Sequence, residues 1–232
     1  NYNEDATVDD RSCCLEGSIE LWDVCYNIGT TDSLNLSNTA LIGEIPSEIG
    51  YLTNLTYLDL SWNNLIGEIP SQIYNLVNLT ELFMHQNQLN GPISAEISNL
   101  ANLEQLNLSA NPLDGEIPSE IGNLENLIKL SLTSNNLHGE IPFEIGNLIN
   151  LTQLSIGQND ITGEIPEQFS DLKDLIYLDL HNNQITGGIP SWIGTLTNLV
   201  SLQLQGNQLT GELPESITNL TNLSGLWLYN NQ

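Results

Sequence analysis

Along most of this chain an apolar residue returns every 24 positions without insertion: Leu36, Leu60, Met84, Leu108, Leu132, Ile156, Leu180, Leu204 and Leu228. Around each of them apolar and polar residues alternate, as in Leu58, Asp59, Leu60 and in Leu130, Ser131, Leu132. A period of two sends successive side chains to opposite faces, so every unit predicts one short strand with its leucines inward and their neighbours outward. Later in the unit the spacing becomes IxxLxN, as in Ile121, Leu124 and Asn126, which predicts a short helical turn leading back to the next strand. Because no single unit can bury its own leucines, stability must come from stacking the units.

Eight full copies of LxxLxLxxNxLxGxIPxxIxxLxN occupy residues 31–222, and a ninth begins at Leu223 and stops at Gln232. Residues 1–30 stand outside the repeat as a cap segment. An asparagine column runs Asn63, Asn87, Asn111, Asn135, Asn159, Asn183, Asn207 and Asn231, with Thr39 as its exception. Its amides are expected to pair with backbone groups left unsatisfied where the chain leaves each strand. A complete glycine column, Gly43 to Gly211, permits a backbone conformation closed to other residues, and the following Pro fixes φ as the chain turns along the outer side.

The phrase LxGxIPxxIGNLxNLxxLxLxxNxL closely resembles the plant-type extracellular leucine-rich repeat, and the resemblance covers residues 31–232. It implies an α/β repeat solenoid, a right-handed superhelix with a concave parallel sheet and a second set of short strands near GxIP. Similar repeats occur in plant receptor ectodomains, polygalacturonase-inhibiting proteins, and secreted microbial and algal proteins, which bind proteins, peptides or glycans and carry no catalysis in their repeats. The resemblance therefore implies an extracellular or cell-surface, non-enzymatic binding module that works through its concave face. It does not name the ligand.

"CCLEGSIELWDVCYNI" is similar to the family's paired-cysteine N-terminal cap, with Trp22, Val24 and Cys25 matching its aromatic strand in outline. That likeness implies a disulfide between Cys14 and Cys25 that covers the edge of the first repeat, with Cys13 spare; Cys13 to Cys25 is the alternative. The opening residues 1–12 are polar and acidic and lack Met, which fits a processed N-terminus.

Charge narrows the partners. The net charge is −26, with 29 acidic residues against Arg11, Lys129 and Lys173, so nucleic acid and anionic membranes would be repelled and a cationic ligand favoured. No apolar run is long enough to span a bilayer. Much of the charge is periodic: Glu44, Glu68, Glu116, Glu140, Glu164 and Glu212 share one position of the unit, while Glu48, Glu96, Glu120 and Glu144 form a second file. Stacked about 4.8 Å apart, such carboxylates repel by roughly 0.9 kcal/mol in water. Loose Ca²⁺ association or salt would relieve this, but one file offers too few oxygens for a specific calcium site, and no cofactor or metal site is expected.

Outward positions of the strands are the candidate binding residues: Tyr57, Asp59 and Trp62; Glu81, Phe83 and His85; Tyr177, Asp179 and His181; and Trp227 with Tyr229. Exposed rings beside carboxylates and amides make a platform for a peptide or glycan, with Trp62 and Phe83 leading. His85 and His181 lie four copies apart, about 19 Å along the stack, too far to share an ion. No nucleophile elbow, phosphate loop or zinc spacing occurs, so no enzyme is expected.

Seven N-x-S/T sequons stand at Asn35, Asn54, Asn78, Asn107, Asn150, Asn219 and Asn222. Asn54, Asn78, Asn150 and Asn222, on the segment entering a strand, are expected to be accessible to glycosylation; sugar on Asn35 or Asn107 would project from the concave face. Thr162, Thr186 and Thr210 share one position, and a flat threonine array can order water, but only three consecutive copies carry it. The ninth copy ends at "LSGLWLYNNQ" without a capping cysteine pair, which leaves the last leucines, Leu226 and Leu228, in need of cover. Further repeats would provide it. The alternative is a structural subunit in which a neighbouring chain's cap stacks there, joining copies head to tail into an extracellular filament.

Overall fold

The computed structural model describes residues 14–232. Nine strands of three residues, from Ser33–Asn35 to Gly225–Trp227, pair in parallel in chain order. Leu58 stands in register with Leu82, Leu82 with Leu106 and so on to Leu226, so one leucine per strand forms a continuous interior row. From Leu34 to Leu202 that row is buried. A second layer of short parallel strands forms around the Gly-Glu positions: Ile42–Gly43, Asn64–Glu68, Gln88–Pro92 and Leu113–Asp114 in one sheet, and His138–Glu140 with Asp160–Thr162 in another.

The returning segments are eight 3-10 turns of five residues, Ser47–Tyr51 through Glu215–Asn219, and no α-helix occurs among the described residues. The helical layer expected of an α/β solenoid is therefore 3-10 throughout. Spacing explains it. Ile49, Leu52 and Leu55 are three residues apart and all fully buried, and only a turn of three residues keeps such positions on one face. The bonds follow suit, with Ile49 N donating to Pro46 O, Leu52 N to Ile49 O and Leu55 N to Leu52 O.

Successive turns approach most closely where one position of the unit is glycine. At Gly50, Gly122, Gly146 and Gly194 an added Cβ would lie within 2.2–2.7 Å of a backbone carbonyl oxygen in the next repeat. Where Tyr74 or Ser170 fills that place instead, the following turn stands farther off.

Two asparagine ladders tie the repeats together. In the inner one, Asn87 Nδ2 donates to Leu60 O of the previous repeat and Met84 O of its own, while its Oδ1 accepts from Leu65 N. The same pattern recurs at Asn111, Asn159, Asn183 and Asn207. These interior asparagines are buried. At the exceptional position the Thr39 hydroxyl keeps one of the bonds, to Leu36 O at 2.7 Å. The outer ladder has no counterpart in the sequence reading: Asn78, Asn102, Asn126, Asn150, Asn198 and Asn222 each donate from Nδ2 to a carbonyl 25 residues earlier, at 2.8–3.0 Å.

At the cap, Cys14 and Cys25 form the disulfide, with 5.4 Å between their Cα atoms. Cys13 and residues 1–12 lie outside the described residues. The strands Ser18–Leu21 and Val24–Asn27 make an antiparallel hairpin whose two-residue loop, Trp22 and Asp23, has positive φ at both positions, the turn that matches strand twist. Leu21 is fully buried, and Ile19, Tyr26 and Ile28 pack beside it against the repeats. The bond crosslinks a short hairpin that touches only the first repeats, so its loss should open the cap locally. Reduction is expected to speed hydrogen exchange of the amides in residues 14–30 and leave those of the strands between Leu82 and Leu202 protected. Equal loss along the chain would show that the cap governs the whole stack.

Candidate ligand-binding face

The outward positions of the nine-stranded sheet form one face, and the chain distributes its aromatic residues unevenly on it. In the second and third repeats they converge. The Tyr57 and Phe83 rings meet edge to face with centroids 5.8 Å apart, Phe83 and His85 at 6.3 Å, and His85 and Trp62 at 6.3 Å. Edge-to-face contact suits the negative faces and positive edges of aromatic rings. Trp62 has left-handed backbone at the turn leaving its strand (φ 57°), which places the indole at the rim, 58% exposed.

Polar groups in this cluster are largely committed to each other. Asp59, one of the candidate binding residues, is buried: its Oδ1 accepts from Ser61 N and Ser61 Oγ, and its Oδ2 from Tyr57 Oη at 3.2 Å. It holds the turn and the tyrosine in place. Burial raises the Tyr57 pKa, with the Asp59 charge and hydrogen bond adding to it. Burial also lowers the His85 pKa, against an opposing pull from Asp59. His85 Nδ1 is buried with no hydrogen-bond partner among the described residues. The cluster thus presents apolar ring surface bordered by Glu81, which lies beside Tyr57 in the strand register.

Five repeats along, Tyr177, Asp179 and His181 form a separate group. His181 Nδ1 lies 2.5 Å from Asp179 Oδ1, and the His181 backbone N donates to the same oxygen at 3.1 Å. The pair rests on Gly157, whose missing side chain makes room: a Cβ there would sit 2.3 Å from His181 Nδ1. Beside it a hollow of about 330 Å³ opens among Gln153, Ser155, Tyr177, Asp179, Ser201 and Gln203. Trp227 and Tyr229 are exposed on the last strand and the turn after it; Leu226 is exposed on that strand and Leu228 is half-buried.

A larger groove, about 1150 Å³, lies away from this face, between the glutamate columns and the 3-10 turns; Glu116, Glu120, Glu140, Glu144, Glu164 and exposed Phe143 line it. Glu44, Glu68, Glu116, Glu140 and Glu164 are stacked in an orderly way because each lies over the glycine of the following repeat: a Cβ on Gly91 would be 2.8 Å from Glu68 Cγ, and one on Gly163 the same distance from Glu140 Cγ. The glycine column therefore serves the glutamate column as well as its own positive φ. Among the described residues no three of His, Cys, Asp and Glu converge to hold a metal ion, and no helix is long and apolar enough to cross a membrane.

Two family models match the chain, "Leucine-rich repeat region" over residues 33–142 and "Leucine rich repeat" over residues 149–209. The chain belongs to the leucine-rich-repeat family. No curated protein matches it. Among solved leucine-rich-repeat structures it is similar to the ectodomain of the plant membrane receptor kinase GASSHO1/SCHENGEN3 from Arabidopsis thaliana, in complex with CASPARIAN STRIP INTEGRITY FACTOR 2, at 45% identity and TM-score 0.85 over 86% of this chain and 24% of that one. It is likewise similar to the plant peptide hormone receptor RGFR1 in complex with RGF2, at 41% identity and TM-score 0.84 over 86% of this chain and 32% of that one. A plant ice-binding protein is 32% identical, with TM-score 0.70 over 85% of this chain and 64% of that one. The chain thus spans about a quarter to a third of the length of the two receptor chains.

Two groups of sequence candidates acquire different roles in this leucine-rich-repeat frame. Asn54, Asn78, Asn150 and Asn222 are exposed, yet their side-chain nitrogens are donors that tie the first repeat to the cap (Asn54) and later repeats to the one before. Asn35 and Asn107 instead use Oδ1, accepting from Ser37 N and Ser109 N, and their nitrogens have no partner among the described residues; Asn219 stands exposed at the end of its 3-10 turn. The hydroxyls of Thr162, Thr186 and Thr210 donate to the carbonyls of Gly139, Gly163 and Gly187, so their protons are used within the fold.

Proposed function

We propose that this chain is the ligand-recognition part of an extracellular, non-enzymatic leucine-rich-repeat protein, and that it binds a peptide or protein segment across its concave face. The observation that carries the reading is the Tyr57, Phe83, His85, Trp62 cluster, ring surface assembled on the sheet and left partly open to solvent. Clustered aromatic residues that exclude water from a contact are where binding energy concentrates. The likeness to a plant peptide hormone receptor solved in complex with RGF2 supports the ligand class, and the Cys14–Cys25 bond supports an oxidising compartment. With a net charge of −26, a basic segment would be drawn in faster and held longer than an acidic one.

The test is to select binders from a phage-displayed library of random dodecapeptides and titrate the resynthesised peptides by calorimetry. Trp62→Ala and Phe83→Ala are each expected to weaken binding at least about tenfold, the loss of one anchor of 1.4 kcal/mol or more. Peptides that bind both variants as well as the parent chain would overturn the assignment of this face.

A further inference from the structure

The tripeptide Tyr-Leu-Asp occurs twice at the same strand position, at Tyr57–Asp59 and at Tyr177–Asp179, and the two copies are in opposite states. At the first, Tyr57 Oη donates to Asp59 Oδ2, Ser61 takes Oδ1, and the carboxylate is buried. At the second, Oδ1 is held by His181, while Oδ2 has no hydrogen-bond partner among the described residues, and Tyr177 is 47% exposed. The neighbours account for the difference. Phe83 in the next strand packs its ring against Tyr57, whereas the residues flanking Tyr177 and Asp179 are Gln153, Ser155, Ser201 and Gln203. Gln203 stands where the first copy has the Phe83 ring, and with Ser155 and Ser201 beside it the 330 Å³ hollow is left between a tyrosine and a carboxylate with one oxygen unpaired among the described residues.

We infer that this hollow is a subsite for an arginine side chain of the bound peptide, a statement that rests on the peptide-binding reading above. At about 330 Å³ the space is at the lower limit of ligand pockets, suited to one side chain. A guanidinium there meets Asp179 Oδ2 as a charge-assisted acceptor, the Tyr177 ring as a stacking surface, and the Ser155, Ser201 and Gln203 side chains as further acceptors. His181 is the positioning residue, since it fixes Oδ1 and so aims Oδ2 at the hollow, and Gly157 gives it the space to do so. Among the described residues the one internal competitor on this face, Lys129, stands two strands away, across from Gln153.

The experiment titrates N-acetyl-arginine N-methylamide into the ¹⁵N-labelled chain and follows amide shifts, with N-acetyl-citrulline N-methylamide as the uncharged isostere. Shifts are expected at Tyr177–His181 and Ser201–Gln203, with binding at least about tenfold weaker for the citrulline compound and for Asp179→Asn. Asp179→Asn keeps the oxygen that His181 holds, so it should fold, and the spectrum of the free variant checks this. Glu116→Gln removes an equal charge elsewhere and should leave the titration unchanged. Citrulline binding equal to arginine, arginine binding unchanged in Asp179→Asn, or shifts confined to the glutamate columns would each overturn the subsite. If selected peptides depend on Trp62 and Phe83 but the arginine compound fails these criteria, the subsite falls and the peptide-binding face stands. Arginine binding at Asp179 without any Trp62-dependent peptide would separate them the other way.

Discussion

Replacing Asn111 with alanine, in the middle of the inner ladder, is expected to destabilise the chain by about 4 kcal/mol. Asn111 is buried; its Nδ2 donates to Met84 O, Leu108 O and Ser109 O at 3.1–3.2 Å and its Oδ1 accepts from Leu89 N at 3.1 Å. Alanine strands the interior Leu89 N–H, costing about 1–3 kcal/mol where water cannot replace the partner, and takes one donor each from Met84 O and Leu108 O, about 1 kcal/mol apiece, although these carbonyls keep Asn87 Nδ2 and Asn135 Nδ2. Asn111→Thr should cost less, because Thr39 occupies the equivalent place and its hydroxyl still reaches the carbonyl three residues back. Urea unfolding followed by circular dichroism measures both. A loss for Asn111→Ala under about 1 kcal/mol, or a threonine variant no better than alanine, would contradict the ladder's role. Because stability in a stack is carried between neighbours, exchange of amides in the adjacent repeats should rise before that of the ends.

Gly194→Ala tests the packing of the outer turns, and about 3 kcal/mol of destabilisation is expected, at the upper end of the usual cost of overpacking. The new Cβ would lie 2.2 Å from the Ser216 carbonyl oxygen and 2.7 Å from Ser216 Cβ, so the obstacle is chiefly backbone. Ser216→Gly should therefore restore only a minor share in the double variant. Full rescue by Ser216→Gly would mean that a side-chain clash alone was responsible. The chain already contains the relaxed alternative, since the turns after Tyr74 and Ser170 stand farther away.

Repetition made the architecture readable in one dimension. The 24-residue period, the alternation of Leu58, Asp59 and Leu60, and the Ile49, Leu52, Leu55 spacing together determine a strand, a short turn and a stack, because each unit has only one face that can be buried. The inner asparagine column could be assigned a structural task for the same reason, its regularity coinciding with the point where strand backbone groups lose their partners. The outer column hid behind another pattern: Asn78 and Asn150 spell sequons, and only the bonds to Thr53 O and Glu125 O reveal what the amides hold.

Periodicity also placed the outward residues on one face but was silent about their state. Tyr57 with Asp59 and Tyr177 with Asp179 are identical in sequence and position, and what separates a closed pair from an open one is whether the Phe83 ring or the ringless Gln203, with Ser201 beside it, stands across the sheet. That neighbour lies a full repeat away in the chain and one strand spacing, about 4.8 Å, away in space. The sequence by itself determined the stack, its buried rows and the ends of each strand. Which carboxylates are spent within the fold and which remain free to meet a ligand was decided only by the tertiary structure, because hydrogen bonding and ring packing between strands depend on side chains brought together by the stacking itself.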